Sequence, residues 1–160
     1  MTDEATFNRL SISIRDFEKA IAFAEEAQRT PLANLAHEAL MFSAIICYYR
    51  PFSPNERVAN VKAKSQLKLE EFRGLTDDEI ALHEKCKDLR NQALAHSEYK
   101  HNPTRLDESV DVIASRPFSL LSQSPDMRAL SDLARKLADQ CHHRRADYVC
   151  SRRALTTPKS

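Results

Sequence analysis

Residues 76–99 read TDDEIALHEKCKDLRNQALAHSEY, and this stretch decides how the rest of the chain is read. Thr76 with Glu79 three positions on is the signature of a capping box. Asp77 and Asp78 add acid to the first turn, where the helix dipole favours it. Leu82, Cys86, Leu89 and Ala93 then recur at spacings of three and four, drawing one apolar stripe. His96 is the next position on that stripe. Arg90 falls roughly 120° round an α-helix from His96, on a face with His83 and Lys87. The pattern predicts a capped amphipathic helix that ends in Arg90, Asn91 and His96 rather than in ordinary surface charge.

Working outward, the same periodicity recurs. Leu10, Ile14, Phe17, Ile21 and Ala24 predict a first helix from about Leu10 to Arg29. Thr30–Pro31 reads as a cap and first helical position for a second helix reaching Tyr49. The apolar residues of that helix run nearly all round after Ala39, which predicts a central, buried position. Ser53–Pro54–Asn55–Glu56 is a further start signal, for a poorly amphipathic segment reaching Phe72 and closed by Gly74. Ser124–Pro125–Asp126 opens a last helix whose stripe is Leu130, Leu133, Leu137 and Cys141, extending toward Tyr148. Residues 100–124 are irregular; Val110, Val112 and Ile113 suit a short hairpin or a loop covering a groove.

Gly74 is the one glycine among 160 residues. A β-rich chain needs glycine in its turns, so the scarcity favours helices joined by capped loops. The expected fold is all-α, an antiparallel bundle of four to five helices in a single domain over 1–153, followed by a disordered tail over 154–160. Hydrophobic residues at 42% and charged residues at 29% are the balance of a soluble globular chain. The opening MTDEATFNRL is polar and acidic, unlike a signal peptide, and the apolar run Ala39–Tyr49 is too short to span a bilayer.

A formal net charge of +1 supplies no global field to select a partner. The C-terminal segment from Arg128 is locally basic, and Arg144 and Arg145, with Lys87 on the motif helix, are candidate contacts for a nucleic-acid backbone. The same residues also fit a solvated helix face. None of Cys47, Cys86, Cys141 and Cys150 belongs to a CxxC pair, and the first three fall on apolar faces, as reduced cysteines in a cytoplasmic protein do. Cys141, His142 and His143 are contiguous, but adjacent helical histidines diverge by roughly 100° and chelate one ion poorly. No metal and no cofactor is expected.

The stretch Leu82–Tyr99, with Arg90–Asn91, five residues, then His96 within the run ALAHSEY, resembles the signature helix of the HEPN superfamily (higher eukaryotes and prokaryotes nucleotide-binding). The specific part of the resemblance spans about eighteen residues, and the helix order extends it as architecture. It implies a helical bundle that homodimerises, and RNA as substrate. Many members are metal-independent endoribonucleases acting as toxins or in phage defence, some with an antitoxin or regulatory partner. Others have lost catalysis and serve as dimerisation or interaction modules. Carried over by motif, Arg90, Asn91 and His96 are the active residues, with copies from two protomers meeting in one cleft. A tyrosine that some members carry two positions after the histidine is replaced here by Glu98, with Tyr99 one further on, which puts a tyrosine-modifying antitoxin in doubt.

The residue types suit that chemistry. RNA carries its own nucleophile, the 2′-hydroxyl. Histidine titrates near neutrality and serves as base or acid. Arginine stays charged and grips phosphate with two donors. Their angular offset in one helix favours a site completed by a second copy across a two-fold axis. The plainer alternative also fits: His96, continuing the apolar stripe, is a buried histidine bonded to a carbonyl, Arg90 pairs with Glu84 or a loop carboxylate, and Asn91 is solvated.

Overall fold

The computed structural model describes residues 3–54, 66–94, 104–107, 112–115 and 120–156. Helix α1 (Asp3–Arg29) begins seven residues before the expected Leu10. Its polar opening is held by contacts made at a distance. Phe7 packs on Tyr148 with ring centroids 5.2 Å apart. Arg9, almost wholly buried, donates to the backbone carbonyls of Arg50 and Pro51. Neither partner is visible in local periodicity.

The turn after α1 departs from the Thr30–Pro31 reading. Thr30 closes α1, its hydroxyl donating to the Glu26 carbonyl at 2.9 Å. Asn34 is the cap of α2 (Leu35–Tyr49), its side chain accepting from Ala36 N at 2.9 Å. Pro31 sits in the turn, where its carbonyl accepts from Asn34 N. Asparagine is as good a cap as threonine, and the tighter turn lets His37 Nδ1 meet the Thr30 carbonyl at 3.0 Å.

A 3-10 turn, Arg50–Phe52, follows α2. The helix expected to reach Phe72 is not present where its end is described: 66–68 are irregular and Leu69–Glu71 is a 3-10 turn. Leu67 and Phe72 are buried on either side of it, so burial rather than helical periodicity sets this path. Gly74 adopts φ 66°, the left-handed conformation that leads the chain into α3 (Asp77–Asp88). A π-helical segment, Leu89–Leu94, continues α3. Beyond it, strands β1 (Thr104–Asp107) and β2 (Val112–Ser115) pair antiparallel, with Thr104 opposite Ser115 and Leu106 opposite Ile113. This is the short hairpin of the sequence reading; Val110 lies outside the described residues. A four-residue α4 (Leu120–Gln123) leads to α5 (Met127–Thr156). Asp126 caps α5, its carboxylate accepting from Arg128 N at 2.8 Å. The helix runs three residues past the expected domain end at Arg153.

The fold is helical, and the packing of α1 against α5 is its most extensive contact. The two run antiparallel: Glu25 meets Arg135 at 2.7 Å, and Phe7 meets Tyr148 at the far end. Leu10, Ile14, Phe17, Ala20, Ala24 and Ala27 of α1 are buried, facing Leu130, Leu133, Leu137 and Cys141 of α5. Alanines at these positions permit close approach of the backbones, and Phe17 packs against Tyr48 and Phe52 of the α2 side. Ile21 is only partly buried.

The central position expected for α2 holds for one side only. Met41, Ala44, Ile45, Cys47, Tyr48 and Tyr49 are buried, whereas Phe42 is 41% exposed, Leu35 81% exposed and Ala39 exposed. Among the described residues, no helix is long and apolar enough to cross a membrane.

Candidate functional site at the end of the third helix

Helix α3 is held at its start. Thr76 Oγ1 accepts from Glu79 N at 3.2 Å and Glu79 Oε2 accepts from Thr76 N at 2.8 Å, completing the expected capping box. Lys136 of α5 reaches across to both Glu79 carboxylate oxygens, at 3.0 and 2.7 Å, and to the Gly74 carbonyl. These bonds, led by Lys136 and the Thr76 N–H, hold the Glu79 carboxyl below its usual range. Toward the other end, Lys85 Nζ donates to the Ser124 carbonyl at 3.1 Å.

The middle of α3 is held by a histidine. His83 is 4% exposed and its Nδ1 shares a 3.0 Å hydrogen bond with Tyr48 Oη. Its ring stands edge-on to Phe52 at 4.5 Å and contacts Tyr48 at 5.9 Å and Tyr49 at 5.5 Å. Burial pushes its pKa down to about 4, so it is neutral at physiological pH. The Tyr48–Phe52 run therefore closes over His83. Sequence reasoning set His83 on the Arg90 face and gave it no role. The signal was its place three residues before Cys86, but its partner comes from α2, and no local pattern announces that.

Arg90 and Asn91 occupy the π-helical segment. Leu89 is buried and anchors the turn, while Arg90 and Asn91 are half-buried. Arg90 Nη1 donates to Asn91 Oδ1 at 2.7 Å. A guanidinium has five donors, so this bond holds one of them and leaves four for a ligand. Lys87 and Arg90 both lie close enough to Tyr49 to oppose the rise that burial imposes on its phenol, with Glu84 acting the other way. The expected alternative pairing of Arg90 with Glu84 is taken by Lys87, 2.7 Å from the Glu84 carboxylate.

The π segment also changes the angular argument. Bonding from i to i+5 widens the turn, so an offset computed for an α-helix does not carry across 89–94. Isolated π turns inside helices concentrate at functional sites, and this one holds the Arg–Asn pair. His96 lies outside the described residues, as do Glu98 and Tyr99. Of the other expected RNA contacts, Arg144 is bonded to Glu71 at 2.8 Å and Arg145 to His142 Nδ1 at 3.3 Å. No described contact joins either to Arg90 or Asn91. His142 Nε2 lies 3.7 Å from Glu18. Among the described residues, no group of three or more His, Cys, Asp or Glu side chains is placed to hold a metal ion.

Comparison with protein-family models, with curated proteins and with solved structures found no match for this chain.

Proposed function

We propose that this chain is a HEPN-like, RNA-binding homodimer that cleaves RNA without a metal ion, with Arg90 and His96 central and Asn91 supporting them. The observation that carries the reading is the 2.7 Å bond from Arg90 to Asn91, set on a π turn at the end of a doubly anchored helix. A phosphate-gripping arginine uses two donors at once, and Asn91 tethers Arg90 while leaving those donors available. Lys87, three residues before Arg90 and paired with Glu84, adds charge for the RNA backbone.

In the proposed reaction the 2′-hydroxyl oxygen attacks the adjacent phosphorus as a base takes its proton. The P–O5′ bond breaks as an acid protonates the leaving oxygen. The products are a 2′,3′-cyclic phosphate and a 5′-hydroxyl, and no redox partner or metal is needed. His96 and its counterpart in the second copy supply base and acid, and Arg90 neutralises charge that builds on the phosphorane. A toxin or defence role, with an antitoxin or regulatory partner, belongs to the same proposal through the family resemblance. The test is cleavage of a mixed RNA pool by purified protein in excess EDTA, beside Arg90→Ala and His96→Ala. Activity in the wild type alone supports the reading. RNA binding without cleavage in all three moves it to a non-catalytic interaction module.

A further inference from the structure

The exposed side of α2 is apolar along its length. Leu35, Ala39, Phe42 and Ile46 follow at i, i+4, i+7 and i+11, which is one face of a helix about 16 Å long over these residues. Leu35 is 81% and Phe42 41% exposed, and Leu32, in the turn just before the helix, is 71% exposed. A stripe of this kind on an otherwise well-packed helix marks a surface meant to be covered.

Beside Phe42 the surface is hollow. A cavity of about 380 Å³ is lined by Lys19 and Phe23 of α1, by Phe42, Ser43, Ile46 and Cys47 of α2, and by Arg50. A cavity of about 150 Å³ already suffices for benzene, so the hollow accepts an aromatic ring. Two cations are among its lining, Lys19 and Arg50, the second of them 3.7 Å from Asp16, and a cation suits the negative face of such a ring. The stripe therefore holds both a projecting aromatic and a socket for one.

Its charge is ordered as well. Glu38 stands one turn before Phe42, toward the start of α2, while Lys19 and Arg50 mark the other end of the hollow. Laying this face on a copy of itself in parallel sets Glu38 against Glu38. Laying it antiparallel sets Glu38 toward Lys19 twice over. That is the relation a two-fold axis generates, in which residue i meets j and j meets i.

We infer that the α2 face is an isologous homodimer interface, in which Phe42 of each protomer enters the hollow of the other and Glu38 meets Lys19 across the axis. The inference rests on the face alone and goes beyond the proposed function, whose shared cleft this surface does not build.

The test is sedimentation equilibrium on the full chain and three variants. Wild type is expected to dimerise, and Phe42→Glu to weaken dimerisation at least about thirty-fold without altering its circular dichroism. Glu38→Lys and Lys19→Glu are each expected to be monomeric alone, through like charges at both symmetric contacts, and to dimerise when mixed one to one. A wild type that stays monomeric at 100-micromolar order, roughly the weak end of specific association, overturns the inference. So does a dimer that Phe42→Glu leaves intact, or charge variants that fail to rescue each other. RNA cleavage is read separately: an intact α2 dimer that cleaves no RNA fails the proposed function and leaves the interface standing.

Discussion

Acidification should unfold this protein through His83, and the effect can be sized. In the unfolded chain the imidazole takes up a proton near pH 6.5; in the folded protein, sealed against Tyr48, Tyr49 and Phe52, it does so only near pH 4. Between those values the unfolded state alone binds the proton, so lowering the pH favours unfolding. The stability that neutral His83 contributes is complete above pH 6.5 and is lost as the pH falls to about 4. Each pKa unit corresponds to about 1.4 kcal/mol, so a fall from 6.5 to about 4 amounts to roughly 3 kcal/mol, a large share of an ordinary folding free energy. Glu79, held low by Lys136, adds loss in the same direction, and Asp16, raised by burial, acts against it. A variant that does not titrate separates these. His83→Gln keeps a polar group for Tyr48 and removes the imidazole. Urea unfolding followed by far-ultraviolet circular dichroism is the assay, because the chain has no tryptophan to report by fluorescence. His83→Gln should be less stable at pH 7 by about 1–2 kcal/mol through lost packing. Between pH 6.5 and 4.5 the wild type should then lose roughly 2–3 kcal/mol more than the variant does. Parallel stability curves for the two proteins over that range would refute the assignment of His83 as a buried neutral histidine.

Two further outcomes are expected. Thr76→Ala removes the acceptor for Glu79 N and should cost about 1 kcal/mol, seen as a lower urea midpoint with an unchanged slope. Arg9→Ala leaves the Arg50 and Pro51 carbonyls without their buried cation and frees the turn that sets Phe52 on His83; a loss of about 2 kcal/mol or more is expected, with Arg9→Lys recovering only part of it because one ammonium cannot reproduce the guanidinium fork.

Much of the fold could be read where a signal was local. The Thr76–Glu79 box, the Asp126 start and the stripes on α1 and α5 are patterns within one or two turns, and the structure holds each of them. What was misread depends on partners far along the chain. The start of α1 was set late because Phe7 and Arg9 are held by Tyr148 and by the carbonyls after α2. Thr30 and Asn34 are both good caps, and sequence favoured the one followed by proline, while the folded turn uses the other. The all-round hydrophobicity of α2 was read as centrality, although one side of it is left uncovered in the single chain. At the candidate site, Arg90 and Asn91 were legible as residue types and are adjacent partners in space. The π turn that carries them was not, because LRNQAL contains no residue that forces a widened turn. His83 escaped notice because a polar residue on a helix reads as exposed until its buried partner is known.

The central claim is that Arg90, Asn91 and His96 make a metal-independent ribonuclease. It is tested most directly by identifying the product ends of RNA incubated with the protein in excess EDTA. The account predicts 2′,3′-cyclic phosphate and 5′-hydroxyl ends from the wild type, and a loss of about 10²–10⁴-fold in rate for His96→Ala, the range expected for one general acid or base, with melting unchanged. Cleavage by His96→Ala at the wild-type rate, or cleavage that stops when EDTA is added, would contradict it.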